Sequence, residues 1–267
     1  MELAAHDLTL AYEGLEVVGN LNCIIPPRQI TTFIGPNGSG KSTLLRGLAR
    51  LMKPRSGAVL LDGKEIHRSP TKAVARRLSM LPQRPTAPDG LLVRELVALG
   101  RFPYQGLLGA LSVDDDRQID LALKTAGVET LADRPMGELS GGQRQLAWIA
   151  MALAQDTPAI LLDEPTTFLD LAHQLEVLEL LRKLHSEAER TIVMVLHDVN
   201  QAARFSDRMV ALSDGKIVAS GAPEEVLTTE LMRRVFAIET EITRCAATNS
   251  PVCIPLRRCE PAGHSRS

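Results

Sequence analysis

Residues 35–43 read Gly-Pro-Asn-Gly-Ser-Gly-Lys-Ser-Thr, and no other stretch limits the fold of this chain so tightly. Gly35, Pro36, Asn37, Gly38, Ser39, Gly40, Lys41, Ser42 and Thr43 fill the pattern G-x-x-x-x-G-K-[ST] without a gap. An apolar run, Ile30 to Ile34, precedes it, and an amphipathic run, Leu44 to Leu51, follows it. That is the strand–loop–helix setting such a loop requires, so the chain is expected to be α/β. Three glycines let the backbone turn tightly and bring its N–H groups close to an anion. The helix starting near Lys41 points its positive dipole end at the same place. Lys41 adds a mobile cation for β- and γ-phosphates, and the Ser42 hydroxyl is the expected Mg²⁺ ligand. The loop implies binding of a nucleoside triphosphate and is silent on what its energy drives.

The length of 267 residues suits one α/β core with an inserted or appended lobe. A net charge of −2 gives no electrostatic case for a nucleic-acid partner. No apolar run approaches the ~18 residues needed to span a bilayer; the richest, Leu146 to Ala154, ends at Gln155. The start, Met-Glu-Leu, shows no basic segment followed by an apolar one, so a cytosolic chain is expected. Cys23, Cys245, Cys253 and Cys259 show no C-x-x-C spacing and read as reduced thiols.

Residues 3–34 read as short strands: Leu8, Leu10 and Tyr12 alternate with polar or small residues, and Pro26-Pro27 marks a turn. Val59-Leu60-Leu61 and Ile66 flank Asp62-Gly63, a hairpin signal, so an antiparallel β layer is expected beside the nucleotide strand. Residues 71–79 read as a short basic helix and Leu78 to Leu81 as a strand that runs into Gln83. Residues 84–155 hold little β pattern and are expected to form an inserted helical lobe. Within it, Leu91 to Leu99 reads as a helix with Leu92, Leu96 and Leu99 on one face, and residues 101–111 as a loop. Val113 to Ala126 reads as a helix whose first-turn acids, Asp114, Asp115 and Asp116, suit its positive end better than a metal.

Leu139-Ser140-Gly141-Gly142-Gln143 precedes Leu146, Ile149, Ala150 and Leu153 at helical spacing, which sets Ser140 at a helix N-terminus. Alone this reads equally as a capped core helix or an anion-binding helix start; beside residues 35–43 it is a second anion-binding device. Ala159 to Leu162 is a buried parallel strand by length and apolarity, and it ends at Asp163-Glu164. The ends of such strands carry ligands. Asp163 is thus placed for Mg²⁺ and Glu164 for polarising an attacking water. Thr191 to Leu196 is another buried strand, and His197 leaves it within reach of a γ-phosphate. Met209 to Leu212 and Ile217 to Ala219 flank Asp214-Gly215 as a second hairpin, and Pro223 opens a helical stretch to about Phe236. The tail from Thr243 is expected to be loosely held.

At this point the chain resembles the ATP-binding subunits of ABC transporters over nearly its whole length. Gly35 to Thr43 match the family's Walker A loop, Leu139 to Gln143 its signature, and Ile160 to Glu164 its Walker B strand with a catalytic glutamate. Gln83 matches the Q-loop glutamine, Asp170 the D-loop aspartate, His197 the switch histidine and Tyr12 the aromatic that stacks on adenine. The resemblance implies a P-loop NTPase core, a RecA-like mixed sheet with an antiparallel β layer and an inserted α-helical subdomain. Residues 1–240 would be the ATP-binding domain, with the helical subdomain at about 84–155, and 241–267 a C-terminal tail. It implies ATP and Mg²⁺, the metal held by Ser42, Gln83 and Asp163. It implies a head-to-tail homodimer in which Ser140, Gly141, Gly142 and Gln143 meet the ATP on the partner's Lys41. Hydrolysis would use Glu164 and His197. Two membrane-spanning permease subunits, and indirectly a periplasmic or lipid-anchored solute-binding protein, would complete an importer on the cytoplasmic face of the inner membrane.

Residues 100–105, 161–170 and 197–202, with Val252-Cys253-Ile254-Pro255, are similar to importers of iron–siderophore complexes. Importers of haem and cobalamin share parts of this wording, and a metal-ion importer is a further alternative. Leu146 departs from the arginine expected in the siderophore group, and Phe168 from the small residue or tyrosine usual in the family. A soluble ABC ATPase acting on ribosomes or DNA is the reading from another class. One Walker A loop, one signature and no basic run set the chain apart from it.

Overall fold

The computed structural model describes residues 1–88, 90–106 and 110–259. Residues 107–109 of the expected loop and the polar end, 260–267, lie outside them. The strands in chain order are β1 (Leu3–Tyr12), β2 (Leu15–Ile25), β3 (Ile30–Ile34), β4 (Ser56–Leu61), β5 (Lys64–Glu65) and β6 (Leu78–Leu81). They continue with β7 (Ala159–Asp163), β8 (Thr191–Val195), β9 (Arg208–Ser213), β10 (Lys216–Gly221), β11 (Ile238–Arg244) and β12 (Pro251–Arg258). The helices are α1 (Lys41–Leu48), α2 (Thr71–Ala75), α3 (Val93–Leu99), α4 (Val113–Thr125) and α5 (Gly141–Ala154). After them come α6 (Leu171–Ala188), α7 (Val199–Phe205), α8 (Pro223–Val226) and α9 (Thr229–Phe236).

A six-stranded sheet in the order β10-β9-β3-β8-β7-β6 forms the centre, parallel from β9 to β6 and closed by antiparallel β10. Strands β3, β7 and β8 are buried at every residue, the mark of strands covered on both faces. Their alternate residues feed two cores. Phe33, Leu161, Val193, Val195, Val210 and Leu212 pack with α1 and with β1, β2 and β4 of a separate antiparallel sheet, order β2-β1-β4-β5. Ile34, Ile160, Leu162 and Met194 face helices α5, α6, α7 and α9 on the other side. The fold is α/β, with the antiparallel β layer where the Asp62-Gly63 turn implies it.

Helices α3, α4 and α5 pack on one another through Val97, Ile119, Leu123, Ala147 and Ala150. In α3 the buried face is Val93, Leu96 and Val97, whereas Leu99 is exposed, so the expected Leu92–Leu96–Leu99 stripe is displaced. The helix begins at Val93, after the extended residue Leu92, and that start sets its rotation. The acid run resolves into different roles. Ser112 caps α4, Asp115 accepts back from the Ser112 amide at 2.9 Å, and Asp114 and Asp116 are exposed. Asp115 is buried and also takes Arg101 Nε at 2.7 Å, while Arg101 Nη1 donates to Ala154 O at 2.8 Å. One ion pair thus joins the ends of α3, α4 and α5.

Two further expectations change. The basic helix at 71–79 shortens to Thr71–Ala75, because Leu78 is already taken into β6. The tail beyond Thr243 is not loose as far as Arg258: β11 and β12 pair antiparallel, and Asn200 clamps Cys253 with bonds of 3.1 and 2.7 Å. Pro251 and Pro255 hid this strand, yet a two-stranded ladder tolerates proline because each strand has an edge.

Burial pushes the Asp115 carboxyl upward, but the Ser112 hydroxyl and amide and the Arg101 guanidinium outweigh it and hold the group at about 2, from 3.8. A depressed acid stabilises the fold above its unfolded value and loses that contribution as pH falls through the folded one. Asp115→Asn is therefore expected to lower unfolding free energy by ~3 kcal/mol at pH 7. About 2 kcal/mol of that difference, the ionisation part, is expected to fade between pH 4 and pH 2. Urea melts of both proteins across that range check it; a difference independent of pH removes the ion pair from the explanation.

Candidate active site

The carboxyl ends of β3, β6, β7 and β8 lie side by side, where an open parallel sheet collects its ligands. β3 delivers residues 35–43. Gly35 adopts φ 146°, and a Cβ there would lie 2.2 Å from Leu212 O, so only glycine fits. Gly40 caps α1 at φ 96°. The amides of the first helical turn have no intrahelical acceptor and face the loop's concave side. Lys41 is buried and donates to Gly35 O at 2.8 Å and Pro36 O at 2.9 Å, which folds its ammonium back over the loop. Burial lowers its pKa, and Glu164 and Asp163 act in the opposite direction.

β7 ends at Asp163. Its Oδ1 accepts from Ser42 Oγ at 2.7 Å, and Oδ2 is buried with no hydrogen-bond partner among the described residues. Burial raises this carboxyl, against the Ser42 bond and the Arg46 charge. A hydroxyl and an orphaned carboxylate oxygen side by side are a donor set for a hard cation, so Mg²⁺ fits here. Glu164 follows in the left-handed region at φ 54°, unusual for a non-glycine residue. It is 8% exposed, and its carboxylate carries three partners. His197 Nε2 is 2.7 Å from Oε1; Thr167 Oγ1 donates to Oε2 at 3.0 Å; Gln83 Nε2 also donates to Oε2.

Lys41, Ser42, Thr43, Asn37, Gly38, Gly40, Glu164 and His197 thus line one cleft, with Val17, of about 160 Å³. Gln83 joins it through Glu164 and makes no side-chain bond to Ser42 or Asp163. Tyr12 stands outside the cleft lining, half-exposed, its hydroxyl accepting from Arg46 Nη1 at 3.3 Å. Ser140, Gly141, Gly142, Gln143 and Asp170 line a different surface. Ser140 Oγ accepts from Gln143 N at 3.2 Å, and Gln143 Oε1 accepts from Ser140 N at 3.1 Å, a reciprocal cap on α5. Asp170 caps α6, accepting from His173 N at 3.0 Å and holding the His173 ring at 2.8 Å. That ring lies against Gly142, where a Cβ would sit 2.1 Å from His173 Cδ2.

The cleft therefore brings together a buried lysine, a hydroxyl–carboxylate pair that fits a cation and a carboxylate held by a histidine, and the capped helix stands apart from it. A profile of the ABC transporter family matches residues 18–167, more than half the chain. The chain belongs to the ABC transporter family, as an ATP-hydrolysing subunit. It is 51% identical over 252 residues to the iron(3+)-hydroxamate import ATP-binding protein FhuC of Bacillus subtilis, covering 94% of each chain. It is 47% identical over 260 residues to the ferric enterobactin transport ATP-binding protein FepC of Escherichia coli, covering 97% of this chain and 96% of that one. Among solved structures, an inward-facing transporter described as metal-chelate type matches with TM-score 0.83 at 28% identity, over 96% and 97% of the two chains. A dimeric bacterial ABC transporter cassette, MJ0796, matches with TM-score 0.74 at 31% identity, over 83% and 98%.

Thr167, Arg46 and His173 enter the site unforeseen. Thr167 sits three residues past Glu164 and His173 three past Asp170, the spacing at which a turn or cap folds back, and that is the signal that could have found them. The crowded His173 ring gives a specific expectation. Gly142→Ala is predicted to lower thermal stability by about 1–3 kcal/mol through overpacking. His173→Ala in the same chain should restore more than half of it. Thermal melts of the single and double variants decide this; no recovery in the double variant places the strain elsewhere.

Proposed function

We propose that this chain is the ATPase of a bacterial importer of iron–siderophore complexes. The carrying observation is the Glu164 carboxylate, held 2.7 Å from His197 in the same cleft as Lys41 and Ser42. High identity to FhuC and FepC over nearly the full length supports the solute class. Lys41 and the amides of residues 38–43 bind the β- and γ-phosphates. Glu164 polarises the attacking water, and His197 and Thr167 fix its orientation. Ser42 and Asp163 would hold Mg²⁺, which when bound would supply charge neutralisation at the phosphates. Gln83 completes the shell around Glu164 and links it to the lobe at about 84–155. Tyr12 stacks on the adenine.

One copy supplies half of each site. The phosphate cleft is small beside the roughly 300–1,000 Å³ of ordinary ligand pockets, and Ser140 stands outside it. In a head-to-tail pair, Ser140, Gly141, Gly142 and Gln143 close over ATP bound to the partner, and Asp170 lies at the seam. ATP binding closes the pair and hydrolysis reopens it. No described helix is long and apolar enough to cross a membrane. In this reading, which rests on the importer relatives, the transported solute passes through permease subunits. The chain works against them at the cytoplasmic face of the inner membrane, and a solute-binding protein delivers the siderophore from the other side.

Three substitutions separate these roles. Lys41→Ala is expected to weaken ATP binding at least ~100-fold, since it removes the charge partner of the phosphates. Glu164→Gln should keep ATP, lose hydrolysis by ~100-fold or more, and accumulate as an ATP-bound dimer in light scattering. Ser140→Arg should leave nucleotide binding by the monomer intact and block turnover; full ATPase activity in that variant refutes the head-to-tail pairing. The solute class is tested in a deletion strain by uptake of labelled iron–siderophore, haem and cobalamin. Loss of siderophore uptake alone, restored by the wild-type chain and not by Glu164→Gln, is the expected result. Unchanged uptake of all three leaves the ATPase and discards the iron reading.

A further inference from the structure

The two β-sheets meet beside the phosphate loop and leave a cleft further along. Gly19 N donates to Gly215 O at 3.4 Å, and Gly215 N donates to Ser39 O at 3.2 Å, so β2 and the turn before β10 touch there. Both strands then run away from the loop as the terminal strands of their sheets. Between them opens a cleft of about 410 Å³, lined in part by Ala5, Cys23, Arg208, Ile217 and Ser220. It shares no residue with the nucleotide cleft.

Its walls mix apolar and polar side chains, His6, Asn22 and Ile24 completing the lining, and Arg208 is their permanently charged group. Arg208 lies in register with Thr31, on the sheet face that carries Val210 and Phe33 into the inter-sheet core. A guanidinium offers five N–H donors. Nη2 donates to Ser220 Oγ at 2.8 Å, while Nε is buried with no acceptor among the described residues. The hydroxyl of Thr31, on the same face, is likewise buried without a partner. Among the described residues no carboxylate pairs with Arg208. Burial pushes the neighbouring Cys23 thiol up to about 11, with the Arg208 charge pulling against it, so the wall around this cation is poorly solvated. A half-buried guanidinium on such a wall leaves donors and charge unmatched, and a planar oxyanion matches both. The terminal strands add main-chain N–H groups outside the ladders.

We infer that this cleft binds a small molecule carrying a carboxylate or phosphate on a short apolar body, with the oxyanion on Arg208 and the body against Ala5, Cys23 and Ile217. The volume falls within the roughly 300–1,000 Å³ typical of small-molecule sites. The anion answers Arg208 and the apolar body answers Ala5, Cys23 and Ile217, while His6, Asn22 and Ser220 make up the polar remainder of the wall.

The test uses the full chain saturated with ADP, so that the phosphate loop is covered. Hexanoate, hexyl phosphate and hexanol are titrated, and the Ile217 methyl is followed by NMR. Saturable shifts with a Kd of about 1 mM or tighter are expected for at least one of the two anions. Hexanol is expected to bind at least about tenfold more weakly. A response to one anion only supports the site and names its head group. Arg208→Met should weaken binding at least about tenfold. Ser220→Asp, at an exposed position of a terminal strand, keeps the fold and gives Arg208 an internal carboxylate; it should weaken binding to the same degree. No saturable shift with either anion, equal binding of hexanol, or unchanged affinity in Ser220→Asp overturns the inference.

Discussion

The bond from Ser42 Oγ to Asp163 Oδ1, 2.7 Å long, joins residues 121 positions apart. It fastens the first turn of α1 to the end of β7. Because β3 feeds α1 and lies one strand away from β7 across β8, the bond also fixes the loop between β3 and α1. Every other site distance follows from that frame. Glu164 directly follows β7, His197 leaves β8 between the two, and Gln83 leaves β6 on the far side of β7. A parallel sheet makes this possible: its strands all point the same way, so four chain segments far apart in sequence end at one edge.

The frame is costly at its centre. Asp163 and Glu164 are adjacent carboxylates, both almost fully buried, and Glu164 lies in the left-handed backbone region. Such a backbone conformation costs on the order of 1 kcal/mol, and an unpaired buried acid costs more. Glu164 is compensated by His197, Thr167 and Gln83, whereas Asp163 Oδ2 has no hydrogen bond among the described residues and only Arg46 Nε at 3.8 Å. The imbalance separates two chemistries within a single dipeptide. The matched carboxylate is held in orientation, as a group that polarises water must be. The oxygen without a hydrogen bond is the one the proposed function gives to a cation.

How much of this was legible in the sequence depends on the range of the interaction. The loop at 35–43, the strand ending in Asp163-Glu164 and the capped helix at Ser140 are local patterns, and each fixes its own conformation within a few residues. Position along one sheet edge then follows from strand direction alone. What escaped depends on packing. The rotation of α3 is set by where its first turn begins, so Val93 and Val97 took the buried face that Leu92 and Leu99 seemed to claim. The pairing of Arg101 with Asp115 needs α3, α4 and α5 together, and Arg101 read only as part of a loop. The β11–β12 hairpin is held by Asn200 from a distant helix, and its prolines argued for a loose tail. Local rules carry no information about such partners.

The same reasoning joins the two halves of the proposed site. A short path runs from Glu164 to the signature helix of the same chain. Thr167 bonds back to Glu164 through both its hydroxyl and its amide, Leu169 approaches Gly141, and Asp170 starts α6 and orients His173 against Gly142. The path contains a closed turn, a helix cap and a ring packed on a glycine, all stiff elements with few rotamers to absorb a displacement. Under head-to-tail pairing, Glu164 serves ATP on its own loop while Gly142 faces ATP held by the partner. Within one chain, residues 167–173 are then the packed connection between the carboxylate of one proposed site and the signature residues of the other. The His173 ring is the tightest contact given for that connection, since a Cβ on Gly142 would lie 2.1 Å from its Cδ2.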